Sequence, residues 1–327
     1  MPFEPRNRIR QILHIGTTVL DEEERVLECR KYKYKPIGAE RTTRMLILKN
    51  GSYEDELAGN LEMARLDDCP PWEALSYAWG TTTVYSRIRI GSRFIRISTN
   101  LEGALRKLRQ KHGDEALGRG FRLWVDQICI DQENVQERSH QVQLMYSIYE
   151  KAEKVFVWLG PDDYDVAKEA FYTVRMLASL DENQTKELGT DQIHVLKDLF
   201  DCRWFRRLWV VQEIGTDTPA EFHWGQECID FEIVHDARIE RGVPTPQISH
   251  ISSGFLNKAS RKECIDPRDR VFALLGHYSA RIGPNKHPIM EADYSSHPAV
   301  IYRELATRAL IDAKSTIILN CVEHERK

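Results

Sequence analysis

Residues 123–160, LWVDQICIDQENVQERSHQVQLMYSIYEKAEKVFVWLG, decide the fold class. With Phe121 and Arg122 before it, the segment opens as FRLWVDQICID, an apolar run of strand length bounded by polar residues. Over 137–154 the period becomes helical, with Val142, Met145, Tyr146 and Tyr149 on one face. KVFVWLGPDD follows directly and reads as a strand closed by Gly160-Pro161. Strand, helix and strand in this order predict a parallel pair joined by a crossover helix.

Upstream, Thr99-Asn100-Leu101-Glu102 matches a capping box. Leu101, Ala104, Leu105 and Leu108 follow at helical spacing, so a helix runs from about residue 100 to before Gly113. RIRIG and RFIRIS alternate around Gly91-Ser92 as a tight β-hairpin. WEALSYAW, 72–79, has the content of a buried strand and ends at Gly80 and three threonines. RMLILKNG is a strand closed by Asn50-Gly51, and 52–71 reads as a polar connection. Downstream, Val166, Ala170, Val174 and Leu177 make one helical face, and Ile193, Leu196 and Phe200 continue another toward Trp204. AEFHWG, 220–225, is strand-like. The expected fold is α/β, a parallel sheet covered by helices, with a β-hairpin insertion and a mostly helical C-terminal extension.

The organisation read from this pattern is an N-terminal extension at 1–33, a main domain at 34–235 and an extension at 236–327. In the last, 266–275 and 302–311 look helical. The apolar run 316–322 stops close to Lys327, which suggests that the natural chain continues.

The chain has 327 residues, 42% hydrophobic and 29% charged, with 46 basic and 50 acidic side chains. That balance argues for a soluble globular protein, against a polyanion-binding surface and so against nucleic acid as a partner. No stretch reaches the ~18 apolar residues of a membrane span. Seven cysteines without a CxxC pair argue against a disulfide framework or a zinc ribbon, so no metal is expected and a reducing cytoplasm fits best. GxxxxGK[ST], GxGxxG after a strand, HExxH and GxSxG do not occur. Cys129 reads as a core strand residue, not a nucleophile.

In an open parallel sheet, ligands sit at the C-terminal ends of the strands. Those ends carry Ser76, Tyr77, Trp79 and Gly80, then Asp126, then Trp158 to Gly160. Tyr77 and Trp79 have two readings, stacking on a heterocyclic base or packing in a core beside a turn; Gly80 would let backbone approach a ligand closely. In RWFRRLWVVQEIG, a helix over 203–214 would place Trp209 and Glu213 on one face, an indole beside a carboxylate. Burial would raise that carboxyl pKa, and Arg206 or Arg207 would hold it ionised. The bland alternative is a solvated helix carboxylate.

EALSYAWG, the 123–160 block and RRLWVVQEIG together resemble the motif blocks of the fungal HET (heterokaryon incompatibility) domain, in order and separation, over about 35–225. DPRDRVFALLG at 266–276 and ADYS at 292–295 resemble stretches that commonly follow it. The resemblance implies an effector of fungal non-self recognition and regulated cell death, activated by an upstream recognition protein or domain. HET domains are considered remotely similar to TIR domains, which have a flavodoxin-like sheet. The hairpin 86–97 and the helices at 165–200 exceed a minimal TIR domain.

Some TIR domains cleave NAD with a glutamate in a WxxxE arrangement, and Trp209 and Glu213 look like that pair. The resemblance thus implies NAD or a related nucleotide as substrate, with no resident cofactor. Glu213 would be the catalytic residue, and Ser76, Tyr77, Trp79, Gly80, Asp126 and Trp209 would bind substrate. Replacing Glu213 by Gln or Ala should then abolish turnover without unfolding. The rival expectations are a non-enzymatic adaptor that self-associates, its WxxxE glutamate pinning a helix, and a nucleotide sensor without turnover.

Overall fold

The computed structural model describes residues 30–38, 40–80, 84–112, 121–180, 188–239, 264–276, 281–282 and 287–311. The N-terminal extension before Arg30, the threonines after Gly80 and the apolar run 316–322 lie outside the described residues. The strands of the main sheet are β1 Thr42–Leu48, β2 Ala58–Arg65, β3 Glu73–Tyr77, β4 Tyr85–Ile90, β5 Arg93–Ser98, β6 Phe121–Trp124, β7 Lys154–Gly160, β8 Ala220–Trp224 and β9 Glu227–Asp230. Their spatial order is β5-β4-β2-β1-β6-β3-β7-β8-β9. The helices are α1 Thr99–His112, α2 Asp126–Cys129, α3 Val135–Glu150, α4 Ala167–Ala178, α5 Thr190–Asp201, α6 Val210–Ile214, α7 Phe231–Ile239, α8 Asp269–Phe272 and α9 Pro298–Ile311.

The centre of the sheet is parallel: β6, β7 and β8 follow β3 through the pairs β3·β6, β3·β7 and β7·β8. Its strands are apolar because both faces are covered, and Val155–Leu159 is buried throughout. On the flanks β1 runs antiparallel to β2 and β6, and β9 to β8, while β4 pairs parallel with β2. The hairpin β4–β5 turns at Gly91, φ +62°, and joins the sheet through β2. Chain order places β6 on one side of β3 and β7 on the other, so right-handed crossovers put α1 and α3 on opposite faces. The strand order reverses between β3 and β7, the crevice where doubly wound folds bind ligands.

Several expectations are corrected. The connection 52–71 contains β2, whose polar, outward residues hide a strand that pairs with β1 through seven residues. The run FRLWVDQICID is a strand only to Trp124; α2 follows, and Cys129 is buried in that helical turn. At the start of α1, the Ser98 hydroxyl accepts from the Leu101 amide at 3.1 Å, one residue earlier than the capping box placed it. Asn134 caps α3 by accepting from the Glu137 amide.

The turn at α2 is held by a buried ion pair. Arg44 on β1 and Glu137 on α3, 2% and 6% exposed, meet through two bonds of 2.5 and 2.9 Å. Arg44 also donates to the carbonyls of Cys129 and Lys35, and Glu137 accepts from the Asp131 amide at 2.7 Å.

On β8, His223 stacks on Phe156 with centroids 3.8 Å apart. Burial holds its pKa below the ordinary value, although Glu221 beside it acts the other way. Below about pH 6.5 the unfolded chain therefore takes up this proton before the folded one does, and stability falls with pH. Melting temperatures near pH 7.5 and 5.5 check this: His223→Phe, which keeps the stacking, should lose less on acidification than the wild type.

Candidate functional site

The residues expected at the strand ends meet in part: Ser76 joins Glu213, Tyr77 and Trp79 join Asp126, and Gly80 lines a separate cleft that none of these lines. Ser76, near the end of β3, donates its hydroxyl hydrogen to Glu213 Oε2 on α6, 137 residues away. Trp204 Nε1 donates to Ser76 Oγ at 2.6 Å. Arg207 grips the same carboxylate in a fork, Nη1 to Oε2 at 2.8 Å and Nη2 to Oε1 at 2.7 Å. Glu213 is 1% exposed, so both its oxygens are engaged within the protein.

Asp126 begins α2, just past the end of β6, and is the second carboxylate. Its Oδ1 accepts from Tyr77 OH at 3.1 Å and from the Gln127 amide at 2.7 Å; its Oδ2 accepts from Trp79 Nε1 at 2.8 Å. Gln127 Oε1 takes the Ser98 amide, which ties the end of β5 to the same corner. Burial raises the Asp126 pKa first of all; Arg207 lowers it, and the charge of Glu213 raises it again. Burial opposes the Arg207 charge, but Glu213 beside it overrides this and holds the guanidinium above the ordinary arginine range. The guanidinium contacts Glu213 directly and acts on Asp126 only through its field.

Tyr77 is buried, and its hydroxyl is spent on Asp126, so its ring belongs to the core. Burial, with Asp126 next, pushes its pKa well above the phenol value. Trp79 is 36% exposed and offers an indole at the surface. Gly80 has φ +81°, which favours glycine, and lines a cleft of about 790 Å³ with Asn100, Trp158 and Asp162. Asn100 bridges the ends of β3 and β7, its amide donating to the Ala78 carbonyl and accepting from Trp158 Nε1. The cleft therefore lies at the sheet's crossover point.

The helix drawn over 203–214 is instead two pieces. Arg203–Arg206 forms a 3-10 turn, Arg207 is extended at φ −69° and ψ 140°, and α6 begins at Val210. The break follows from packing. Trp204 and Phe205 are locked among Phe200 and Phe222, and α6 turns to bring Glu213 to β3. The indole on the Ser76–Glu213 pair is accordingly that of Trp204, while Trp209 Nε1 donates to Asp269 at 3.3 Å. Arg207, not Arg206, holds Glu213; Arg206 faces Asp201 at 3.4 Å. Trp204 stands nine residues before Glu213, and no helical spacing could have singled it out. Among the described residues, no group of three or more His, Cys, Asp or Glu is placed to hold a metal ion, and no helix is long and apolar enough to cross a membrane.

A mixed α/β sheet with a carboxylate–guanidinium network at the end of its central parallel strand defines the class. The sequence profile of the family described as Heterokaryon incompatibility protein (HET) matches residues 72–213, from just before β3 to Glu213 itself. Over these residues, a little under half of its length, the chain is similar to the HET domain of this family. It is 30% identical to "Heterokaryon incompatibility protein 6, OR allele" of Neurospora crassa, over 58% of this chain and 34% of that protein. It is 29% identical to "Vegetative incompatibility protein HET-E-1" of Podospora anserina, over 47% of this chain and 10% of that protein. The chain thus spans about a third and a tenth of these two relatives. No solved structure matches it.

Proposed function

We propose that this chain is the effector part of a heterokaryon incompatibility system, and that it triggers regulated cell death by hydrolysing NAD at the nicotinamide–ribose bond. The observation that carries the reading is the buried Glu213 carboxylate, held by Arg207 and Ser76 at the C-terminal end of β3, with a second carboxylate, Asp126, bonded to the exposed Trp79 indole at the same end of the sheet. Nicotinamide leaves as a neutral molecule, so its departure needs no general acid. The C–N electron pair leaves with the pyridine nitrogen. A carboxylate stabilises the ribosyl cation, and water adds at the same carbon and releases a proton. Glu213 is the group assigned that role. For its carboxylate to reach the ribose, the substrate's hydroxyls take over a bond now made by Ser76 or Arg207. The upstream recognition partner, a cytoplasmic site of action and self-association belong to the same proposal.

A second reading has its own observation. Both Glu213 oxygens are already satisfied by Ser76 and Arg207, which suits a structural pin in a self-assembling, non-enzymatic adaptor. Incubation of the protein with NAD, with free nicotinamide followed by chromatography and assembly by size exclusion, separates them. Release that depends on Glu213 supports the hydrolase; none from assembled, folded protein supports the adaptor. Nucleotide binding without release would make the domain a sensor.

A further inference from the structure

The motifs DPRDRVFALLG and ADYS, separate in sequence from the site, close on the back of the helix that carries Glu213. Asp269, in the first motif, accepts from Trp209 Nε1 on one oxygen and from Tyr294 OH, in the second motif, on the other at 2.6 Å. The Tyr294 ring lies under the guanidinium of Arg138 at 4.2 Å and beside that of Arg268 at 5.3 Å. Arg268 is held in turn by Asp266 at 2.7 Å and donates to the Ser296 carbonyl at 3.0 Å. The Tyr294 amide donates to Ser139 Oγ at 3.0 Å, which fastens the assembly to α3.

This clasp reaches α6 by two routes. Trp209, at the N-cap of α6, is held by Asp269; Gln212, buried and next to Glu213, donates to the Phe272 carbonyl at 2.8 Å. Leu208 and Val211 pack with Ala273 and Leu274 as a cluster apart from the main core. A helix of five residues has too few internal bonds to hold itself, so its position is set by what packs on it. One face of α6 meets β3 through Glu213, and Trp209, Val211 and Gln212 meet the clasp.

We propose that Asp269 is a positioning residue for Glu213: through Trp209 it fixes the pose of α6, and the clasp of Asp269, Phe272 and Tyr294 sets where the Glu213 carboxylate stands. This rests on the catalytic reading of Glu213 given above. Misplacing a reacting group by about 1 Å can cost up to about 100-fold in rate, so a partial release of α6 should cost about ten-fold.

The test uses the full chain with Asp269→Ala, Asp269→Asn and Trp209→Phe, the last keeping the ring while removing the N–H donor. For each, kcat and KM for nicotinamide release, melting temperature and amide exchange are measured, with α1 as internal reference. The expected result for Asp269→Ala and Trp209→Phe is a kcat lower by about ten-fold, KM within about two-fold and faster exchange confined to 207–215. Asp269→Asn still accepts from Trp209 and bonds Tyr294, so it should restore kcat. A fall in melting temperature with kcat per folded molecule unchanged overturns the proposal, as does an Asn variant as slow as the Ala variant. If the wild type releases no nicotinamide, the catalytic reading fails by itself. Exchange then decides the positioning claim, and unchanged exchange at 207–215 in Trp209→Phe overturns it.

Discussion

Glu213→Gln should lower nicotinamide release by at least about 100-fold while leaving a folded protein, because it removes the charge but keeps the shape and one acceptor oxygen. Glutamine can still take a bond from Ser76 or Arg207, so the loss is that of a charge-assisted hydrogen bond, about 1.5–3 kcal/mol. Glu213→Ala behaves differently. It leaves the Arg207 guanidinium, only 16% exposed at its side chain, without its carboxylate and leaves Ser76 without its acceptor. Breaking such a pair from one side costs about 3–5 kcal/mol, so the alanine variant should be markedly unstable. The sequence alone suggested that Gln and Ala were equivalent replacements; the fork from Arg207 separates them. Turnover by Glu213→Gln at the wild-type rate would end the catalytic assignment. Melting curves of both variants show which losses are chemical and which are structural.

Glu137→Ala should destabilise the domain by about 3–5 kcal/mol, because it strands the Arg44 guanidinium in the core. At about 2–4 °C per kcal/mol for a domain of roughly 150–250 residues, the melting temperature should fall by about 10 °C. The pair is a strut, not a source of net stability, and replacing it as a whole would ordinarily be close to neutral. Here Arg44→Met with Glu137→Leu should recover only part of the loss. The carbonyls of Cys129 and Lys35 and the Asp131 amide would lose their partners as well. Thermal melts of the single and double variants check this, and a double variant as stable as the wild type would show that these backbone bonds carry nothing. The α2 turn that presents Asp126 depends on the strut, so the singles should also disturb the Trp79–Asp126 contact, visible in the indole fluorescence.

How much of the site was legible differs from residue to residue. Ser76 and Asp126 could be found because hydroxyls and carboxylates at strand ends are conspicuous against apolar runs, and Glu213 through its helical spacing to Trp209 and the family resemblance; the structure joins Ser76 to Glu213 directly. Tyr77 was legible as a residue, but whether it stacks on a ligand or packs in a core depended on a partner, Asp126, forty-nine residues away. Trp209 was chosen for its helical spacing to Glu213, and that spacing holds, the Glu213 amide donating to the Trp209 carbonyl at 3.3 Å, but the Trp209 indole is turned to Asp269. The indole on the Ser76 hydroxyl is that of Trp204, which is fully buried and which packing alone brings there.

Periodicity and local chemistry determined which segments are strands and which are helices, since side-chain alternation, helical faces, caps and glycine turns act within a few residues of one another. On that basis the sequence by itself established an α/β sheet, a hairpin at Gly91 and a crossover helix, read at 137–154 and found at 135–150. It also established the family resemblance. The polar strand β2, the break at Arg207, the Arg44–Glu137 strut and the clasp behind Glu213 were decided by the tertiary structure. Each joins residues far apart in the chain, and only the faces that meet after collapse select which buried charge or hydroxyl finds which partner.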